Sequence, residues 1–238
     1  MKTVRYAIYF APPADDRLSQ TAARWLGRDA FTGQTNELPA LAGLDADTRQ
    51  ALTADPRRYG FHGTLKAPFA LAQDRNEAEL IAAFEGFAAD LEPFEIPELT
   101  LHQIGPFFAL VSATHCEPLQ DFAAQAVQSF ELFRAPLSDT DMARRNPDKL
   151  PSRQREYLKE WGYPYVFEEF QFHLTLTGPV PAETTTTMRT VLESTFSEHI
   201  GKPLDVASVA LFVEPHRGAP FLVHSLLPLG GATQRKIA

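Results

Sequence analysis

A chain of 238 residues with 44% hydrophobic and 11% aromatic side chains is long enough to bury a core unaided, and too apolar to be disordered, collagenous or a coiled coil. Thirty acidic against 22 basic side chains leave a formal net charge of −8, which excludes the basic surplus of a general nucleic-acid coat or a membrane-surface protein. Cys116 is the sole cysteine, so no disulfide framework or cysteine-based zinc site can form, and a reducing cytoplasm is expected.

The opening segment MKTVRYAIYFAPP has too short an apolar run for a targeting signal, and no run approaches the roughly 20 residues of a membrane span. Its alternation of Val4, Tyr6, Ile8 and Phe10 with Arg5, Ala7, Tyr9 and Ala11 predicts a first strand. A helix is expected over about 14–26, with Leu18, Ala22 and Trp25 on one face and Gly27 as its stop. Loop follows over 28–46, then a short helix near 47–54 that ends before Pro56. FHGTLKAPF, 61–69, reads as a strand, and 76–91 as a helix buried through Leu80, Phe84, Phe87, Ala88 and Leu91. Strands over about 97–104 and 107–114 meet at Gly105-Pro106.

The order then repeats. Leu119, Phe122, Ala123, Ala126, Val127, Phe130 and Phe133 line a helix. FHLTLTGPV, 172–180, is a strand, 183–199 a helix, and 204–213 and 219–227 are strands. Phe61, His62, Thr64, Leu65 and Pro68 match Phe172, His173, Thr175, Leu176 and Pro179 at a constant offset of 111. A pattern of α, β, α, β, β occurring twice is what a duplicated unit leaves behind. The fold class expected is α+β: a single domain of two pseudo-symmetric lobes, roughly 1–115 and 116–238, with a basic insertion at about 135–162. Two antiparallel sheets would form a central cleft, with helices on the outer faces.

Strand alternation puts Phe61, Gly63 and Leu65 on one face and His62, Thr64 and Lys66 on the other; in the second strand His173, Thr175 and Thr177 share a face. Two imidazoles across a groove suit general acid–base catalysis, one neutral and accepting a proton while the other is charged and donates. The hydroxyls of Thr64 and Thr175 would donate to the non-bridging oxygens of a phosphate held between them. No metal or other cofactor is required. Cys116 reads as a small buried side chain, because His115 beside it points to the opposite face of a strand.

Two HxT motifs, each on a strand after a hydrophobic residue and about a hundred residues apart, resemble those of the two-histidine (2H) phosphoesterase superfamily, which includes cyclic phosphodiesterases. RYGFHGTLKAPF and WGYPYVFEEFQFHLTLTGPV are similar to a branch of it encoded with phosphonate-degradation genes. The resemblance implies a bilobal α+β cup, an active site built on His62, Thr64, His173 and Thr175, and cleavage of a cyclic phosphodiester such as a ribose or nucleotide cyclic phosphate. The expected partner is a small phosphorylated substrate, a cyclic ribose phosphate or short RNA end, with no membrane and no stable nucleic-acid partner.

The segment 134–159 holds seven bases against four acids and reads as a rim or lid that attracts an anion, through Arg144 and Arg145. Arg58 and Lys66 lie on or beside the first HxT strand, with Lys66 on the His62 face. Arg217 follows His216 in the last hairpin loop. Tyr59, Trp161 and Tyr163 could cover a sugar or base, or simply pack. Two rival readings stand beside this one. His62 and His173 could be two ligands of a cross-strand metal site, or the cleft could bind RNA or a nucleotide without turnover. Serine-hydrolase chemistry has no support, since the chain holds no GxSxG elbow, and a Walker or Rossmann glycine loop is likewise absent.

Overall fold

Strand β1 (Arg5–Phe10) runs through the middle of the protein, whose computed structural model describes residues 3–38 and 40–231. Its alternation divides two environments. Tyr6, Ile8 and Phe10 enter the main core, while Ala7, Tyr9 and Ala11 enter a smaller cluster with Ala30, Ala210, Phe212 and Phe221 on the opposite face. Helix α1 (Arg17–Leu26) starts where the Asp16 carboxylate accepts from the backbone N–H groups of Leu18 and Ser19, and it buries Leu18, Ala22 and Trp25.

Helices α2 (Ala46–Leu52) and α3 (Ala54–Tyr59) follow. The expected short helix, α2, does end before Pro56, and Pro56 lies in the first turn of a further helix, α3, where its missing N–H would have no intrahelical partner in any case. After β2 (Gly63–Phe69), helix α4 (Glu77–Ala89) opens on a reciprocal Asn76–Glu79 cap and buries Leu80, Phe84, Phe87 and Ala88. Strands β3 (Phe94–Ile96), β4 (Leu99–Ile104) and β5 (Phe107–Ser112) complete the first half.

In the second half α5 (Glu117–Ser129) packs on β2. Residues 135–150 carry no periodicity and read from sequence as irregular, yet they contain a helix, α6 (Asp139–Arg144), capped by Ser138. Helix α7 (Ser152–Trp161) ends at Gly162 as its sequence indicates. Strand β6 is reduced to Leu174–Thr175. Beyond it the backbone leaves the ladder: Leu176 and Thr177 both donate to the Phe108 carbonyl, and Gly178 donates to that of Leu52. Helix α8 (Thr185–Thr195) and strands β7 (Leu204–Val206), β8 (Ser208–Glu214) and β9 (Leu222–Pro228) follow.

The class is α+β, with two antiparallel sheets of unequal size. Seven strands run in the order β4-β5-β6-β2-β1-β8-β9, and β3 pairs with β7. The order interleaves the sequence halves. Hairpin β4–β5 of the first half lies beside β6 of the second, and hairpin β8–β9 of the second lies beside β1 of the first. The two HxT strands are therefore neighbours at the centre. No helix among the described residues is long and apolar enough to cross a membrane.

Candidate active site

Antiparallel pairing sets Gly63 opposite Leu174. One step along each strand, His62 then faces Thr175 and Thr64 faces His173, on the face opposite the main core. Directly opposed residues have Cβ atoms roughly 4.5–5.5 Å apart and diagonal ones lie roughly 7–8 Å apart. Each imidazole thus has the other motif's hydroxyl across from it, and the two rings sit on the diagonal.

Gly63 is what lets the strands meet in this register. A Cβ there would lie 2.6 Å from Cε2 of Phe172, which packs beneath it. Gly60, at φ 79°, ends α3 and has no space for a side chain either, since its Cβ would fall 2.4 Å from that of Ala30. Its carbonyl turns toward the site and lies 2.9 Å from His62 Nδ1. The second motif repeats the device: His173 Nδ1 is 2.7 Å from the carbonyl of Gln171. A carbonyl oxygen can only accept, so both Nδ1 atoms carry their protons and both Nε2 atoms are left for chemistry. Neither Nε2, nor either hydroxyl of Thr64 and Thr175, makes a hydrogen bond to a described residue.

The surroundings of the rings differ. Tyr9 stacks on His62 with centroids 3.9 Å apart and planes at 25°, and Tyr59 and Phe212 lie at 5.9 and 6.0 Å. Burial, opposed by the pull of the Gly60 carbonyl and aided by the nearby His173, brings the His62 pKa down to about 4. His173 has the Phe107 ring at 6.0 Å and is lowered by burial, opposed by its bond to Gln171. Because each charge disfavours the other, the pair favours holding one proton rather than two.

Three adjoining cavities make the cleft. The first, about 320 Å³, is lined by His62, Thr64, Thr175 and Tyr59. The second, about 340 Å³, holds His173 with Gln154 and Glu169 and shares Thr64, Phe107 and Tyr163 with the first. The third, about 520 Å³, shares Tyr59 and Arg145 with the first and adds Arg5, Arg58, Arg144 and Arg217. Among the described residues no group of three or more His, Cys, Asp or Glu side chains is placed to hold a metal ion.

One expectation is overturned. Lys66 does not share the His62 face. A register shift against β1, with Ile8 opposite Lys66 but Tyr9 opposite Thr64, inserts an extra residue in β2 and reverses the alternation there. Lys66 is buried on the α5 side, where Nζ donates to the Val127 carbonyl and pairs with Glu131 at 2.8 Å. Arg58, Arg144, Arg145, Arg217, Tyr59 and Tyr163 do line the cleft. Trp161 packs against Phe167 in a small cluster with Val127 and Tyr157. Of the other bases in the segment 134–159, Arg134 pairs with Glu131 and Arg153 with Glu168. Sequence reasoning missed Tyr9, Phe107 and Arg5. Tyr9 and Phe107 carry no polar signal beyond ordinary strand residues, and Arg5 reaches the site only because β1 pairs with β8. Cys116 is buried at the start of α5.

The chain belongs to the family described as "Protein of unknown function (DUF1045)", which matches residues 64–222 and so includes Thr64, His173 and Thr175. It is 34% identical over 235 residues to the ribose 1,5-bisphosphate phosphokinase PhnN of Janthinobacterium sp. (strain Marseille), covering 97% of this chain and 52% of that protein. It is also 34% identical over 236 residues to the protein of the same name from Laribacter hongkongensis (strain HLHK9), covering 98% and 54%. The chain therefore spans about half the length of the curated relatives it matches. Among solved structures it is similar to TT0787 of Thermus thermophilus (TM-score 0.47, 13% identity, covering 96% of this chain and 100% of that one). It is similar also to E. coli LigT complexed with 3'-AMP (TM-score 0.45, 13% identity, 96% and 99%). Likeness at that level is too distant to carry fold or function across.

Proposed function

We propose that this chain is a phosphodiesterase that opens a cyclic ribose or nucleotide phosphodiester by two-histidine general acid–base catalysis, without a metal ion, in phosphonate metabolism. The observation that carries the reading is the pairing of Gly63 with Leu174. It sets two imidazoles, both with Nδ1 engaged by a carbonyl and Nε2 left open, beside two unengaged threonine hydroxyls in one cleft.

His62, the more strongly depressed of the two and covered by Tyr9, is the base. Its neutral Nε2 takes a proton from water as the water oxygen bonds to phosphorus. His173, protonated on Nε2 when the anionic substrate is bound, gives that proton to the ring oxygen as its bond to phosphorus breaks. The product is a phosphomonoester with a free hydroxyl, and exchange with solvent restores the starting protonation. Thr64 and Thr175 donate to the non-bridging oxygens as charge builds on them.

The names of the relatives, kinases of ribose 1,5-bisphosphate, support a ribose phosphate as substrate. This chain spans only about half of those proteins, so their kinase activity is not carried across to it. Phosphoryl transfer from a nucleoside triphosphate ordinarily relies on a glycine-rich phosphate loop, and the present sequence has none.

The test is incubation with a panel of 2′,3′- and 1,2-cyclic ribose phosphates in the presence of EDTA, with products identified by phosphorus NMR. His62→Ala and His173→Ala should each lower kcat by about 10²–10⁴ while retaining ligand affinity. Absence of turnover across the panel, with binding intact, would make the cleft a binding module; activity lost to EDTA and restored by a divalent ion would reject the metal-free mechanism.

A further inference from the structure

Beside the paired histidines lies a cavity far more basic than the rest of this acidic protein. It is lined by Arg5, Arg58, Arg144, Arg145 and Arg217, with Asp141. These residues come from the start of β1, the end of α3, the end of α6 and the β8–β9 loop. Glu214, fully buried, organises the floor: one carboxylate oxygen takes Arg5 Nε at 2.6 Å, and the other takes Arg58 Nη1 at 2.9 Å and the backbone N–H of Gly218. Each guanidinium has five N–H donors, so most of those on Arg5 and Arg58 remain unspent. Arg217 pairs with Asp141, Arg145 lies over the Tyr163 ring at 5.0 Å, and Arg144 makes no hydrogen bond or ion pair with a described residue.

Five guanidiniums therefore face two carboxylates. A structural ion-pair network would come closer to neutrality, because uncompensated like charges in a shared cavity repel. Burial together with Arg5 and Arg58 already disfavours the charged form of Arg217. The surplus of three positive charges, presented as planar forks, suits a dianion that accepts several charge-assisted hydrogen bonds.

Position ties this cavity to the histidines. Tyr59 and Arg145 belong to both. The His62 and Tyr59 rings are 5.9 Å apart and the Arg58 guanidinium lies 4.2 Å from the Tyr59 ring, so Arg58 and His62 are separated by at most the two steps together, about 10 Å. A separation within that bound is on the scale of one small sugar, not of a longer strand.

We propose that the five-arginine cavity seats a second phosphate, a phosphomonoester carried on the same small sugar as the cyclic diester. The inference rests on the two-histidine reading for its kinetics but not for its binding. An internucleotide phosphodiester would bring only one negative charge, and a strand would have to continue past the Arg217–Asp141 pair that bridges α6 and the β8–β9 loop.

Two measurements test it. In calorimetric titration, ribose 5-phosphate should bind the wild type and the His62→Ala variant alike. It should bind the Arg144→Ala/Arg217→Ala variant at least tenfold more weakly, with Arg144→Lys/Arg217→Lys recovering part of the loss. Affinity unchanged in the double alanine variant, or no binding to the wild type, would overturn the proposal whatever the catalytic result. In kinetics, a ribose cyclic phosphate bearing a 5-phosphate should exceed its dephosphorylated counterpart in kcat/KM by about a hundredfold, and that ratio should fall at least tenfold in the double alanine variant. A ratio near one, or preference for a dinucleotide ending in a 2′,3′-cyclic phosphate, would refute it. Failure of both compounds to react, with the binding pattern intact, would instead reject the two-histidine reading and leave the phosphate seat standing.

Discussion

The ring of Tyr9 covers that of His62, with centroids 3.9 Å apart and planes at 25°. Tyr9 is itself almost fully buried, so the imidazole has protein on one side and the cleft on the other. Burial, to which this cover contributes, is the main physical cause of its low proton affinity.

Removing the cover should raise the His62 pKa. In Tyr9→Ala, water reaches the ring and the value should move from about 4 toward 6.5, whereas Tyr9→Leu, still apolar and bulky, should leave it low. Proton NMR titration of the imidazole reads this directly. The alanine variant should also lose about 3–5 kcal/mol of stability, so the leucine variant anchors the comparison. Equal pKa values in all three proteins would show that stacking on Tyr9 is irrelevant to the charge state.

Stability of the unliganded protein should fall in acid. The His62 pKa is about 4 when folded, against 6.5 as its ordinary value. Between those values the unfolded chain binds a proton that the folded chain refuses, so this contribution is complete above pH 6.5 and declines as the pH drops toward 4. His173, shifted in the same direction, adds to it. Thermal melts from about pH 7 to about pH 5 should show Tm falling more steeply for the wild type than for His62→Gln. Parallel curves would be the contrary result.

Gly63→Ala should disturb the site without touching a catalytic group. The added methyl would meet Phe172 at 2.6 Å, and overpacking of this kind costs about 1–3 kcal/mol. Relief would come from moving β2 away from β6, which separates His62 from Thr175. A drop in kcat is expected to accompany the lower Tm, and Phe172→Leu in the same chain should restore part of both. Loss of stability with unchanged kcat would mean that this pairing does not set the geometry.

Lys66 offers a control. Lys66→Met should leave kcat/KM within about twofold, because its ammonium lies among Val127 and Glu131 rather than in the cleft. Stability should change little, since Glu131 keeps its pairing with Arg134. Glu131→Leu should be the harsher change, by about 3 kcal/mol or more, because it strands a buried ammonium. Chemical denaturation compares the two; a large kcat/KM loss in Lys66→Met would return Lys66 to the substrate.

The sequence by itself determined most of the element types, though neither α6 nor the shortness of β6, together with the core stripes of α1, α4 and α5 and the two HxT segments with their offset of 111. All of these are local patterns, set by the periods of helix and strand and by side-chain polarity. Only the tertiary structure decided that hairpins β4–β5 and β8–β9 lie beside the other half's strands and that Lys66 turns away where β2 bulges against β1. It also decided that Arg5, Arg58, Arg144, Arg145 and Arg217 share one cavity. Strand partners, bulges and charge clusters depend on which distant segments pack together, and that is settled by burial and hydrogen bonding across the whole fold rather than by any one stretch of chain.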